Sequence, residues 1–184
     1  MKNIFQKWNR ILPYLLEHPY KEIHLRELAR KTGTSCSTCY RAVKELVGYG
    51  LAERNKSYGR VFVKLVLSPA VKKLKIAYST HIIEKSGMVE HISQNSFGLQ
   101  SLVVYGSIAR GEDDENSDCD ILVIASKCNA NSMTLSKMLK REVSLKCFTL
   151  EGWKKVAEKN RAFYLEVITN SIVLKGNLPI VEYV

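Results

Sequence analysis

The sequence predicts an α+β protein of two small domains: three helices closed by a two-stranded hairpin, then a small sheet flanked by helices. Three observations predict it. Apolar residues recur at helical spacing through most of the first fifty positions. Two runs of strand length, Leu102 to Tyr105 and Ile121 to Ala125, stand in the second half. The net charge of +10 is also divided unevenly, with 13 Lys or Arg against 5 Asp or Glu as far as Ala70 (net +8) and 15 against 13 beyond it (net +2). A small basic domain of this kind suits a polyanion partner, because each Lys or Arg placed on a phosphate releases counterions.

At 184 residues and 46% hydrophobic content the chain can fill one mid-sized core or two small ones. The longest apolar stretches are far shorter than the roughly 20 residues of a spanning helix. The start, with Lys2, Lys7 and Arg10, lacks a signal-peptide core. Cys36, Cys39, Cys119, Cys128 and Cys147 are scattered and odd in number, as in reduced cytosolic proteins. The expectation is a soluble cytoplasmic protein with no membrane partner.

The first helix is expected from about Phe5 to Leu16, interrupted by Pro13. The second runs from His24 to Gly33, with Leu25, Leu28 and Ala29 on one side and Gly33 ending it. Ser35 is the expected N-cap of a third helix, Cys36 to Gly48. At 100° per residue, Cys36, Cys39, Val43, Leu46 and Val47 form its apolar stripe, and Ser37, Thr38, Arg41 and Lys44 face outward. Tyr40 lies near the edge of that stripe, suited to core packing. Leu51 to Arg54 and Val61 to Leu67 read as strands joined by a basic turn, Asn55 to Arg60. Cys36 and Cys39 have zinc spacing, but the stripe would bury both and no second pair stands nearby.

From about Asn3 to Ser68 this order resembles the winged helix-turn-helix family of microbial and archaeal transcription regulators. The resemblance implies DNA as partner and a role in transcription regulation. The third helix would enter the major groove through Ser37, Thr38, Arg41 and Lys44, while Lys56, Tyr58 and Arg60 on the wing would touch the backbone or minor groove. Winged helices also serve as assembly modules, a reading that the basic charge disfavours.

Ser68-Pro69 reads as an N-cap followed by proline at the first helical position. It starts a long connecting helix, broken near Gly87, that would set the orientation of the domains or carry a homodimer contact. The expected division is residues 1–68, a connecting helix at 69–95 and a second domain at 96–184. In the second domain, the run ending at Tyr105 delivers Gly106 and Ser107 to a turn, and Asp118 and Asp120 head the next run. Residues i and i+2 of a strand share a face, so the two carboxylates converge and call for a cation between them. A hard divalent ion takes one or two carboxylates plus phosphate oxygens. The Gly-Ser turn offers N–H groups and a hydroxyl to a phosphate.

Gly106, Ser107, Ala109, Arg110, Gly111, Ser117, Asp118 and Asp120 together resemble the signature of the minimal nucleotidyltransferases related to DNA polymerase beta. The resemblance covers about the second half of the chain and implies a small mixed sheet, Mg²⁺ or Mn²⁺ on Asp118 and Asp120, and an NTP held by Gly106 and Ser107. Arg110 would pair either with a nucleotide phosphate or with the acidic run Glu112 to Glu115, which otherwise reads as a solvated loop. Relatives carry a third acidic residue on a later strand. Here that strand, Glu142 to Leu150, follows a helix from Asn131 to Arg141 and has Ser144 at the expected position. Glu142, on the same face, is the candidate for the third catalytic carboxylate. Lys146 would instead neutralise a phosphate or the aspartates. Leu150 to Asn170 reads as helical and Ile172 to Leu174 as a final strand. None of His18, His24, His81 and His91 has a partner in a catalytic pattern.

Two functions follow from these resemblances. One is transfer of a nucleoside monophosphate from NTP to a hydroxyl on nucleic acid or protein; minimal relatives include antitoxins that place AMP on a partner toxin. The other is a DNA-binding regulator whose second domain binds nucleotide without catalysis, an alternative kept close by Ser144.

Overall fold

The computed structural model describes residue 8 and residues 10–181. The expected start of the first helix at Phe5 lies outside them. The chain divides into two compact units, residues 1–78 and 79–184. The division falls inside one helix, α4, Pro69–Lys85.

In the first unit, α1 is Ile11–Glu17, β1 Ile23–His24, α2 Leu25–Thr32, α3 Cys36–Gly48, β2 Ala52–Ser57 and β3 Arg60–Leu65. Pro13 does not interrupt α1. It sits in the first turn, where its missing N–H would have had no intrahelical partner. Ile11, Leu12, Leu15 and Leu16 of α1 pack with Leu28 of α2, Val43 and Leu46 of α3 and Val63 of β3 to form the core. Gly33 takes a left-handed φ of 66° to end α2. The Ser35 hydroxyl accepts the Thr38 N–H at 3.1 Å to start α3. Strand order is β1-β3-β2, all antiparallel. The expected six-residue turn is only Tyr58-Gly59. Both have positive φ, 47° and 72°, as a two-residue hairpin requires, and the strands extend to Ser57 and Arg60. Strand β1 has no counterpart among the expected elements, since two residues leave no periodicity to detect. The first part of α4, capped by Ser68 Oγ on the Val71 N–H at 3.2 Å, buries Val71 here. Its Lys75 is buried with Nζ donating to the Leu16 carbonyl at 2.8 Å, which satisfies both a buried charge and the end of α1.

In the second unit, α5 is Met88–Gln94, β4 Ser96–Phe97, β5 Ser101–Tyr105, α6 Gly106–Arg110, β6 Cys119–Ile124, β7 Lys127–Cys128, α7 Ser132–Leu139, β8 Val143–Phe148, α8 Leu150–Lys159, α9 Arg161–Asn170 and β9 Ile172–Gly176. The main sheet has order β8-β6-β5-β9, with β6 parallel to β8 and the other pairs antiparallel. It is therefore mixed, in agreement with the predicted fold class. Leu102, Val104, Ile121 and Val123 line one face with Met88, Ile92 and Leu135. Val103, Tyr105, Leu122 and Ile124 line the other with Trp153, Ala157, Tyr164 and Val167. Both faces are covered, which is why β5 and β6 read as unbroken apolar runs rather than alternating ones. The helical stretch after β8 is two helices, parted at Asn160, whose side chain turns to cap α9 through the Phe163 N–H at 3.2 Å.

Candidate nucleotide site and nucleic-acid face

The second unit brings the end of β5 to the beginnings of β6 and β8. Tyr105 pairs with Asp120, and Asp120 pairs with Ser144. Straight after Tyr105 the chain turns through Gly106, with φ 74°, into α6. That turn needs glycine twice over. Its φ is left-handed, and a Cβ there would lie 3.3 Å from Asp120 Cγ and closer still to Oδ2. The Asp120 carboxylate thus rests against the Gly-Ser corner, half-buried, while Asp118 just ahead of β6 is exposed. Burial, then the Asp118 charge, raise the Asp120 carboxyl above its usual range; a hydrogen bond from Ser144 and the charges of Lys146 and Arg110 pull the other way. Two carboxylates close enough to raise proton affinity form an anionic pair suited to a hard divalent cation.

Glu142 is exposed and precedes β8, where its carbonyl accepts the Cys119 N–H at 2.8 Å. Among the described residues no group of three or more His, Cys, Asp or Glu side chains is arranged to hold a metal. Glu142 therefore does not complete a three-carboxylate cluster. Glu142 lies one residue before β8, where the strand period no longer directs its side chain.

Arg110 is taken up by carboxylates. Its Nε donates to Glu112 at 3.0 Å and its Nη1 to Glu166 of α9. The Glu112 pair is the acidic-run pairing expected for Arg110, and no local signal points to Glu166, 56 positions away. Glu112 and Glu115 of that run are exposed, but its middle is fixed in the fold. Asp113 is buried and accepts from Arg141 Nη1 at 3.0 Å. Asp114 Oδ1 accepts the Asn116 and Ser117 N–H groups at 3.0 Å each and the Ser117 hydroxyl at 2.9 Å. Arg141 also donates to the Ser117 and Asp114 carbonyls. The segment leading to Asp118 is thereby clamped by a residue just past the end of α7 that no sequence motif singles out. Lys146 is exposed, with Nζ 4.5 Å from the Phe163 ring centroid and 5.8 Å from that of Tyr105.

In the first unit, Ser37, Arg41 and Lys44 are exposed on α3, and Lys56, Tyr58 and Arg60 on the hairpin. Thr38 is half-buried and tied into the cap, its hydroxyl accepting from Ser35 Oγ at 2.9 Å. Cys36 is exposed rather than on the buried stripe, because it is the first residue of α3 and has no core opposite it. Tyr40 is exposed too. It accepts from Arg54 Nη1 at 3.3 Å, with that guanidinium over its ring at 5.9 Å. Arg54 thus joins this face without any signal in the sequence that pairs it with Tyr40.

Residues 88–177 match the family model of polymerase beta nucleotidyltransferases, and residues 7–56 match that of the IclR helix-turn-helix domain. The chain carries a helix-turn-helix domain followed by a nucleotidyltransferase domain. Among solved structures it is similar to a toxin–antitoxin with AMP-PNP, at 24% identity over 53% of this chain and 73% of that one, TM-score 0.38. It is also similar to a mutant of the toxin–antitoxin MntA-HpeT, at 21% identity over 49% and 71%, TM-score 0.39. Comparison with curated proteins finds no match. Among the described residues no helix is long and apolar enough to cross a membrane.

Proposed function

We propose that the second domain binds a divalent metal and a nucleoside triphosphate and transfers the nucleoside monophosphate to an acceptor hydroxyl, releasing pyrophosphate. The observation that carries the reading is the apposition of Asp120 and Gly106: a carboxylate fills the space of a missing Cβ, with the Asp118 charge beside it. Asp118 and Asp120 would hold Mg²⁺ or Mn²⁺, which when bound neutralises charge on the transferring phosphoryl group. Gly106 and Ser107 open α6, which has no side-chain cap at Tyr105. Its first N–H groups and the Ser107 hydroxyl therefore suit phosphate oxygens. Arg110, held by Glu112 and Glu166, stiffens α6 rather than reaching the ligand. Incubation with labelled ATP and Mg²⁺ tests this directly. Label should pass to protein or nucleic acid, and Asp120→Asn should abolish transfer; absence of label from every acceptor offered would sink the enzymatic reading.

A second reading rests on Ser144, which pairs in register with Asp120 where a third carboxylate would stand. It is a regulator that binds nucleotide without turnover. Saturable, Mg²⁺-dependent nucleotide binding with no transfer would select it. Under either reading the first domain is a DNA binder, supported by exposed Arg41 and Lys44 on α3 and Lys56 and Arg60 on the hairpin.

A further inference from the structure

The sheet face that carries Asp120 also carries a cation. In β8, Ser144 and Lys146 share the face of Asp120, since Ser144 pairs with Asp120 and Lys146 with Leu122, whose side chain lies in the same core layer as Tyr105. Lys146 is not spent on the aspartates, because it makes no ion pair with the described carboxylates. Its Nζ is instead held above Phe163 at 4.5 Å, with Tyr105 next at 5.8 Å. Two rings fix the position of a long, otherwise mobile side chain that stays exposed. Beside it, the Tyr105 hydroxyl is buried and has no hydrogen-bond partner among the described residues. A buried hydroxyl without a partner is rare in a folded chain and calls for a polar atom from outside it. A phenol hydroxyl is an O–H donor at neutral pH.

We propose that Lys146, seated on the rings of Phe163 and Tyr105, together with the Tyr105 hydroxyl, forms an anion subsite that takes a phosphoryl group of the bound nucleotide. The Asp120 carboxylate and a fixed ammonium lie on one face, one pleat repeat of about 7 Å apart along the strands. A metal-bound polyphosphate presents the complementary pattern: a cation for Asp118 and Asp120, and an anionic oxygen for Lys146. An uncharged nucleoside presents neither. The inference rests on the nucleotide-binding reading and adds its charge selectivity.

Calorimetric titration of the full chain with ATP, ADP and adenosine in Mg²⁺ tests it. The wild type should prefer ATP to adenosine. Lys146→Met, which keeps the stem on the rings and removes the charge, should weaken ATP by about tenfold or more, as removal of one charge-assisted hydrogen bond does. Adenosine should be unaffected. Lys146→Arg should restore most of the affinity, and Tyr105→Phe should weaken ATP by a smaller factor. Thermal scans of each variant separate binding from folding. If the wild type binds ATP and folded Lys146→Met binds it equally well, the subsite is overturned while the metal–nucleotide site stands. If the wild type binds no nucleotide, both fall.

Discussion

Gly106 and Asp120 meet across the turn from β5 to α6 so closely that no side-chain carbon fits between them. Gly106→Ala therefore meets two penalties: a left-handed φ of 74° and a collision with the carboxylate. The expected cost is about 1–3 kcal/mol of stability, read as a lowered thermal midpoint, together with loss of metal-dependent nucleotide binding as Asp120 is displaced. A variant that binds and melts like the wild type would show that the corner tolerates a methyl group and that the apposition is incidental.

The proton affinity of Asp120 is raised, by burial first and then by the Asp118 charge. A carboxyl that binds its proton more tightly folded than unfolded costs stability when ionised. That cost is fully present above the folded pKa, shrinks as pH falls through it, and is gone below the unfolded value near 3.8. In metal-free buffer at pH 7, Asp120→Asn should thus melt higher than the wild type, by a margin that solvent screening keeps small, and the gap should close on acidification. Adding Mg²⁺ should reverse the order, since only the wild type retains both carboxylates for the ion. A lower melting point for Asp120→Asn without metal would mean that the Ser144 hydrogen bond outweighs the repulsion.

Much of the fold and of this corner is legible in the sequence because the signals are local. Ser35, Gly33 and Ser68 mark helix ends by caps that act within four residues, and Gly106 and Asp120 stand at one turn and at the head of one strand. What escapes is what distant chain supplies. Glu166 reaches Arg110 from α9, Arg141 reaches back to Asp113, and Arg54 crosses to Tyr40. Periodicity has no reach at such separations. Glu142 lies one residue before β8, as Asp118 lies one residue before β6, and at such positions packing rather than period directs the side chain.

Arg141 illustrates the cost of breaking such a distant link. It pairs with buried Asp113 and holds two carbonyls of the segment before Asp118. Arg141→Met takes the guanidinium away from a buried carboxylate, so the destabilisation should be about 3 kcal/mol. Adding Asp113→Asn should recover part of it, a coupling that a double-mutant cycle of denaturant unfolding measures. Limited proteolysis should cut first between Glu112 and Asp118 in the single variant. Equal and additive destabilisations would mean that Arg141 acts through the two carbonyls alone.

For the first domain, the charged groups on α3 and the hairpin make separable predictions. Duplex DNA retention by the wild type should fall steeply with salt, and Arg41→Ala or Lys56→Ala should each lower the slope of log affinity against log salt by about one, as expected when one fewer phosphate is neutralised. Tyr58 is fully exposed at the tip of the turn, 101% by relative area, and carries no charge. Tyr58→Ala should therefore weaken binding while leaving the slope unchanged. Arg54 sits on Tyr40, so Tyr40→Ala should release it and weaken binding although Tyr40 has no charge of its own. Retention that ignores salt, or slopes unmoved by Arg41→Ala and Lys56→Ala alike, would assign the basic surface to something other than nucleic acid.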